Sequence, residues 1–190
     1  MRRIALLTIT GVAALALAGC ATMSVSSYVE RGTDFAQFRT FGWGPADSLP
    51  TGDPRLDNNP FFRDSMEGAV ERHLATKGYA RVPADLTPDL LIHYHANISQ
   101  RFYVDDFDRQ YNCTSGPCEP KTVEYEAGTL MIDITDRRTD RVIWRGWAQD
   151  SFDGVINNQD RLADKVEEAV SRILAQLPGA TVLPAFDGAF

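Results

Sequence analysis

Apolar residues recur every three to four positions in two stretches of this chain and every second position in several others. The two rhythms divide it into helices and strands. Phe62, Met66, Val70 and Leu74 step along one helical stripe, with Ala69 and His73 beside it. Asn59-Pro60 supplies a capping side chain and a proline at the first helical position, and Lys77-Gly78 a basic last turn and a glycine stop. A second helix is predicted over about 158–177, on the stripe Leu162, Val166, Val170, Ile173, Leu174 and Leu177, and Pro178-Gly179 ends it.

Strand-like segments are predicted at 25–29, 34–43, 89–98, 129–134 and 141–148. Residues 44–59 are rich in Pro, Gly, Asp and Asn and read as a loop. Residues 136–140 form a polar connection of hairpin length. The expected fold is α+β: a two-layer sandwich, with a mainly antiparallel sheet of about five to six strands and two helices packed on one face. Pairing the last hairpin about its turn puts Leu130, Ile132, Ile134, Val142 and Trp144 under the helices. Asp133, Ile143, Arg145 and Trp147 then share the other face with His93 and His95. A slip of one residue would exchange the faces. One domain is expected over 28–179, followed by an irregular apolar tail, 180–190.

The first twenty residues follow a different pattern. Arg2 and Arg3 precede an apolar run, 4–17, which is broken only by Thr8, Thr10 and Gly11 and leads into Leu17-Ala18-Gly19-Cys20. A run of that length falls short of the ~20 residues needed to span a bilayer and reads as a secretory signal. The cysteine at its end resembles a bacterial lipobox. That resemblance implies removal of 1–19, diacylglycerol on the Cys20 sulfur, a third acyl chain on the new amino terminus, and a lipidated tether over 20–27. By resemblance to Gram-negative lipoproteins, Ala21 in place of an aspartate implies the outer membrane, with the domain facing the periplasm. Several acyl chains anchor durably where one holds only marginally.

Residues 1–19 hold two arginines and no acid, so their removal leaves 171 residues and takes the formal charge from −7 to −9. That length is about one domain, able to bury close to 70% of its unfolded surface. Such acidity argues against nucleic acid, whose phosphates call for Lys and Arg, and against anionic head groups. Membrane contact is therefore expected through the lipid anchor.

With Cys20 assigned to acylation, Cys113 and Cys118 remain. Ser115-Gly116-Pro117 between them carries turn chemistry, and an even pair in an oxidising compartment reads as a disulfide. A redox pair would favour C-x-x-C spacing, and a structural zinc site would need two further ligands. A staple across so short a loop orders a local tip rather than the whole fold.

Four segments together resemble one family: 34–43, the Lys77-Gly78-Tyr79 helix end, Pro88 to His95, and Gly128 to Asp136 continuing to Val142-Ile143-Trp144-Arg145-Gly146. Their order and spacing are similar to domain-of-unknown-function family 4136, bacterial lipoproteins with a small α+β domain. The resemblance implies fold and location and brings no agreed activity.

Chemistry is sparse elsewhere. His93 and His95 point the same way from one strand and could chelate a metal, but a third ligand would have to come from a carboxylate or from His73, which lies in the helix stripe across the sheet, and a polar pair on a partly exposed face is the simpler reading. Asp105, Asp106 and Asp108 lack the spacing of a calcium loop. No serine sits in a Gly-x-Ser-x-Gly elbow, and phosphate loops and dinucleotide fingerprints are absent. No catalytic residue, metal or further cofactor is therefore expected. The chain reads as a binding or structural module of the cell envelope with an envelope protein as partner. Its candidate interaction face is His93, His95, Ile143, Arg145 and Trp147. The alternative is a periplasmic hydrolase or small-ligand-binding protein.

Overall fold

The computed structural model describes residues 23–45, 51, 53–105 and 121–179. Cys20, Cys113 and Cys118 lie outside the described residues, as do Asp106, Asp108 and the tail 180–190. Six strands form one sheet: β1 (Ser24–Val29), β2 (Thr40–Trp43), β3 (Ala80–Arg81), β4 (Leu90–Asp105), β5 (Lys121–Asp136) and β6 (Arg141–Ser151). Their spatial order is β1-β6-β5-β4-β2-β3. The four strands β4, β5, β6 and β1 pair antiparallel. Strand β2 runs parallel to both β3 and β4, because helix α1 (Pro60–Thr76) carries the chain back from β2 to β3. Helix α2 (Gln159–Ala175) follows β6. The chain forms the expected α+β class with a mainly antiparallel sheet, of six strands where about five to six are expected.

Both helices start as their caps dictate. The Asn59 side chain accepts from the Phe62 amide at 3.2 Å, with Pro60 at the first helical position, and Asn158 accepts from Arg161 at 3.0 Å. Gly78, at φ +89°, takes the left-handed turn that lets the chain leave α1. The apolar stripes of both helices enter one buried cluster with Phe41, Leu90, Ile92, Ile132, Ile134 and Trp144. Burying each such side chain contributes about 1.5–3 kcal/mol. Arg72 and His73 of α1 both meet Glu167 of α2, His73 Nε2 at 2.8 Å from its carboxylate, so the third histidine belongs to the helix layer.

Several boundaries differ from expectation. The fold begins at Ser24 rather than 28, and Met23 is already buried, so residues 23–27 of the segment expected as a tether belong to the domain. Segment 34–43 is not one strand. Asp34 accepts from the Ala36 amide at 2.9 Å and closes a single 3-10 turn, Phe35–Gln37, and only Thr40–Trp43 pairs as a strand. Strands β4 and β5, at 16 residues each, outrun β6, whose last pairing is Ser151 with Ala127. Gln100–Asp105 and Lys121–Glu126 therefore project beyond the sheet as a two-stranded arm.

The expected register places Leu130, Ile132, Ile134 and Trp144 correctly on the buried side, and it fails at Val142 and Ile143. Ile134 pairs with Trp144, but Thr135 pairs with Val142, so Ile143 is the extra residue of a β-bulge. The insertion resets the alternation. Ile143 joins the core at 6% exposure, while Val142 is 36% exposed. Ile143 is thus not part of the open face.

Candidate functional site

The sheet face away from the helices carries two cross-strand rows. His95, Met131, Trp147 and Ser26 stand side by side across β4, β5, β6 and β1, and His93, Asp133, Arg145 and Tyr28 form the next row. The alternation of each strand sets this placement, since Ile92, Ile132 and Trp144, one residue away from row members, are fully buried. The two histidines, Arg145 and Trp147 are all half-buried, so the face is neither core nor freely solvated. The structure therefore brings together His93, His95, Arg145 and Trp147 and excludes Ile143.

Arg145 and Asp133 form a charged centre in the middle of the face. Nε and Nη2 donate to the two carboxylate oxygens at 2.6 Å each. The hydrogen bonds to Asp133 outweigh the cost of burial and raise the guanidinium pKa further above its ordinary value. At the β1 edge, the Tyr28 hydroxyl donates to Glu30 at 2.5 Å, and that bond pushes the phenol pKa up. Near β2, the His93 ring lies over Gly44, where a Cβ would come within 2.0 Å of Cε1. Gly44 is held in place by its amide, which donates to the Ile92 carbonyl at 2.9 Å. Met131, Tyr28 and Gly44 are members of the site that the sequence reading missed. Met131 carried a signal, as an alternate position in a recognised strand.

Two recesses border the face. One, of about 440 Å³, lies where the arm leaves the sheet and is lined by Ser24, Arg101, Tyr125, Gln149, Ser151 and Asp153. The other, of about 340 Å³, sits between β2 and the following 82–88 connection, with Gly42, Arg81, Leu86, Leu91 and Arg137 in its wall. A third, narrow and mostly apolar crevice of about 30 Å³ lies under the helices near Met23 and Leu56. Lys165 closes one side of it through a 2.6 Å ion pair with Asp150.

The carboxylates held below their usual range serve the fold. The Arg55 side chain and amide keep Asp53 ionised against the cost of burial. Burial opposes ionisation of Asp89 and Glu167. For Asp89 the Arg39 and Thr40 amides outweigh it, and for Glu167 the Arg72 and His73 side chains do. Among the described residues no group of three His, Cys, Asp or Glu side chains is placed to hold a metal ion. No helix among them is long and apolar enough to cross a membrane.

Comparison with solved structures finds similarity to other bacterial proteins. A PDZ domain protein from Parabacteroides distasonis superposes with a TM-score of 0.51 at 20% identity, over 82% of this chain and 36% of that one. The chain thus spans about a third of that protein's length, and the likeness is one of fold. A DUF4136 family protein from Bacteroides thetaiotaomicron aligns with a TM-score of 0.46 at 14% identity, over 81% of this chain and 95% of that one. PelC from Paraburkholderia phytofirmans, crystallised as a dodecamer, gives 0.48 at 13% identity, over 84% and 99%. Among curated proteins, none matches the sequence significantly. The sequence model of one family, described as "Domain of unknown function (DUF4136)", matches residues 25–179, which takes in every strand and both helices but for Ser24 at the start of β1. This chain belongs to the DUF4136 family.

Proposed function

We propose that the protein is an outer-membrane lipoprotein, held by diacylglycerol and an N-acyl chain on Cys20 and facing the periplasm. Its domain would act as a binding or structural module of the cell envelope. The observation that carries this reading is the open sheet face. Trp147 and Met131 offer an apolar centre there, Arg145 and Asp133 a fixed charged pair, and neither helix roofs them. Tryptophan and arginine dominate the binding energy of many protein interfaces, above all near their centres. The acidic chain does not suit nucleic acid, so the partner we infer is a protein. Cys113 and Cys118 fall in the connection between β4 and β5, where a disulfide would staple the end of the arm.

A second reading, a small-ligand-binding protein or a periplasmic hydrolase, is favoured by the 440 Å³ recess, where Arg101, Tyr125 and Gln149 converge. Crosslinking in intact cells, followed by mass spectrometry, separates the two. The expected result is an envelope protein captured by the parent chain and lost from Trp147→Ala, with circular dichroism unchanged. Capture that survives Trp147→Ala and Arg145→Ala together, in folded protein, would overturn the open-face reading. For the anchor, globomycin should accumulate the unprocessed chain, and mass spectrometry should find an acylated Cys20 peptide.

A further inference from the structure

The arm and the amino terminus leave the sheet at the same end. Ser24, Gln149, Thr129 and Asn97 stand in one cross-strand row. From that row the chain before β1 leads back towards Cys20 in the direction in which β4 runs on to Asp105. Met23 is buried and so moves with the domain, which leaves three residue steps to Cys20, at most ~11 Å fully extended. Asp105 lies eight residues past Asn97, about 26 Å at ~3.3 Å per residue. Measured from that same row, Met23 and the free tether together reach at most about 14 Å, so the arm outreaches them a little under twofold.

We propose that the β4–β5 arm rests on the bilayer that anchors Cys20, with Phe102 in the interfacial layer. The proposal rests on the lipoprotein reading above. With Cys20 fixed at the head groups, an arm longer than the tether meets the lipid when the strands point at the membrane. It lies along the surface when the domain tilts. Phe102 is 65% exposed, the most exposed large apolar side chain among the described residues, and it sits opposite Glu124 on a ladder that no helix covers. An aromatic ring in that place is solvated on a free domain and shielded at a lipid surface. One phenylalanine adds little affinity of its own. Beside a covalent anchor it needs little, because the anchor supplies the local concentration and the arm sets orientation. By sequence the arm carries Arg101 and Lys121 against Asp105, Glu124 and Glu126, so it brings no net positive charge and anionic lipid is not required.

The test uses the acylated mature protein on vesicles of phosphatidylethanolamine and phosphatidylcholine, with Phe102→Trp as the reporter. The emission added by the new indole should be blue-shifted, and it should be lost when the phosphatidylcholine carries brominated acyl chains. The parent protein, with only its own three tryptophans, should lose much less. Co-flotation of protein and vesicles with an unshifted, unquenched signal overturns the arm contact and leaves the anchor standing. Should the chain purified from membranes carry no acyl group on Cys20 and fail to float, the anchor is overturned, and the arm contact with it. A blue shift that grows with protein density but ignores bromine assigns the arm to a second copy of the chain, and likewise overturns the proposal.

Discussion

Arg145 grips Asp133 in a two-pronged ion pair directly across the β5–β6 hairpin, each prong 2.6 Å long. The fork fixes a guanidinium in the middle of the open face that would otherwise sample several rotamers. Its worth to stability is small, since the Arg145 side chain is still 43% exposed. A double-mutant cycle with Asp133→Asn and Arg145→Gln should give a coupling of about 0.5–1 kcal/mol in denaturant unfolding, shrinking with added salt. A coupling that salt leaves untouched would contradict this account.

The bulge gives Val142 and Ile143 opposite roles. Ile143→Ala should cost about 2–4 kcal/mol, because it empties a filled site in the core. Val142→Thr, on an exposed position, should stay within about 0.5 kcal/mol. Urea unfolding of the two variants decides the register, since an unbulged hairpin predicts the reverse order.

Gly44 and Gly146 both sit against rings, with different freedom to give way. At Gly44 the nearest atoms an added methyl meets all belong to the His93 ring, a side chain on the open face that can rotate. At Gly146 it meets Trp144 at 2.2 Å and Ile173 at 2.6 Å, both fully buried. Gly146→Ala should therefore destabilise by about 1–3 kcal/mol or more through overpacking. Gly44→Ala should leave the melting temperature nearly unchanged and shift the NMR resonances of the His93 ring. A large loss of stability at Gly44 would show that His93 is locked.

Asp89 ties the start of β4 to β2, accepting from the Arg39 and Thr40 amides at 2.8 and 2.9 Å. Its folded pKa is lowered, so its contribution is complete above the unfolded value of ~3.9 and is lost as pH falls through the lower folded value. Asp89→Asn should cost about 1–2 kcal/mol at pH 7, discounted for partial exposure. It should also flatten the dependence of stability on pH below about 4. An unchanged acid limb in a pH series of melts would contradict that role.

The helices are legible in the sequence because cap and stripe are local signals, as Asn59-Pro60 and the Phe62-to-Leu74 spacing show. The register of β5 is legible too, since Leu130, Ile132 and Ile134 repeat without a break. Val142-Ile143-Trp144 presents three apolar residues in a row, and alternation cannot tell which of them is the bulge. The arm escapes notice for a physical reason. None of the described side chains here, Gln100, Arg101, Phe102, Thr122, Glu124, Tyr125 and Glu126, enters the core, so they impose no apolar period. Of the candidate face, His93, His95, Arg145 and Trp147 follow from strand alternation. The packing of His93 over Gly44 depends on β2 lying beside β4 in parallel, a pairing that spans the whole of α1.

Among the described residues strand β1 pairs only with β6, and the Ser24 hydroxyl reaches the Gln149 carbonyl across 125 residues of chain. The first strand to be made is thus the last that can be placed, waiting on a hairpin encoded near the other end. Pairings over such separations carry a large loop-closure cost and fold slowly. Until β6 exists, Met23 and Val25 have no groove to enter, and the uncharged stretch Ser24–Val29 is open to any passing sheet edge. The order of synthesis and the order of assembly therefore run against each other in this protein, and the interval between them is its period of greatest exposure to aggregation.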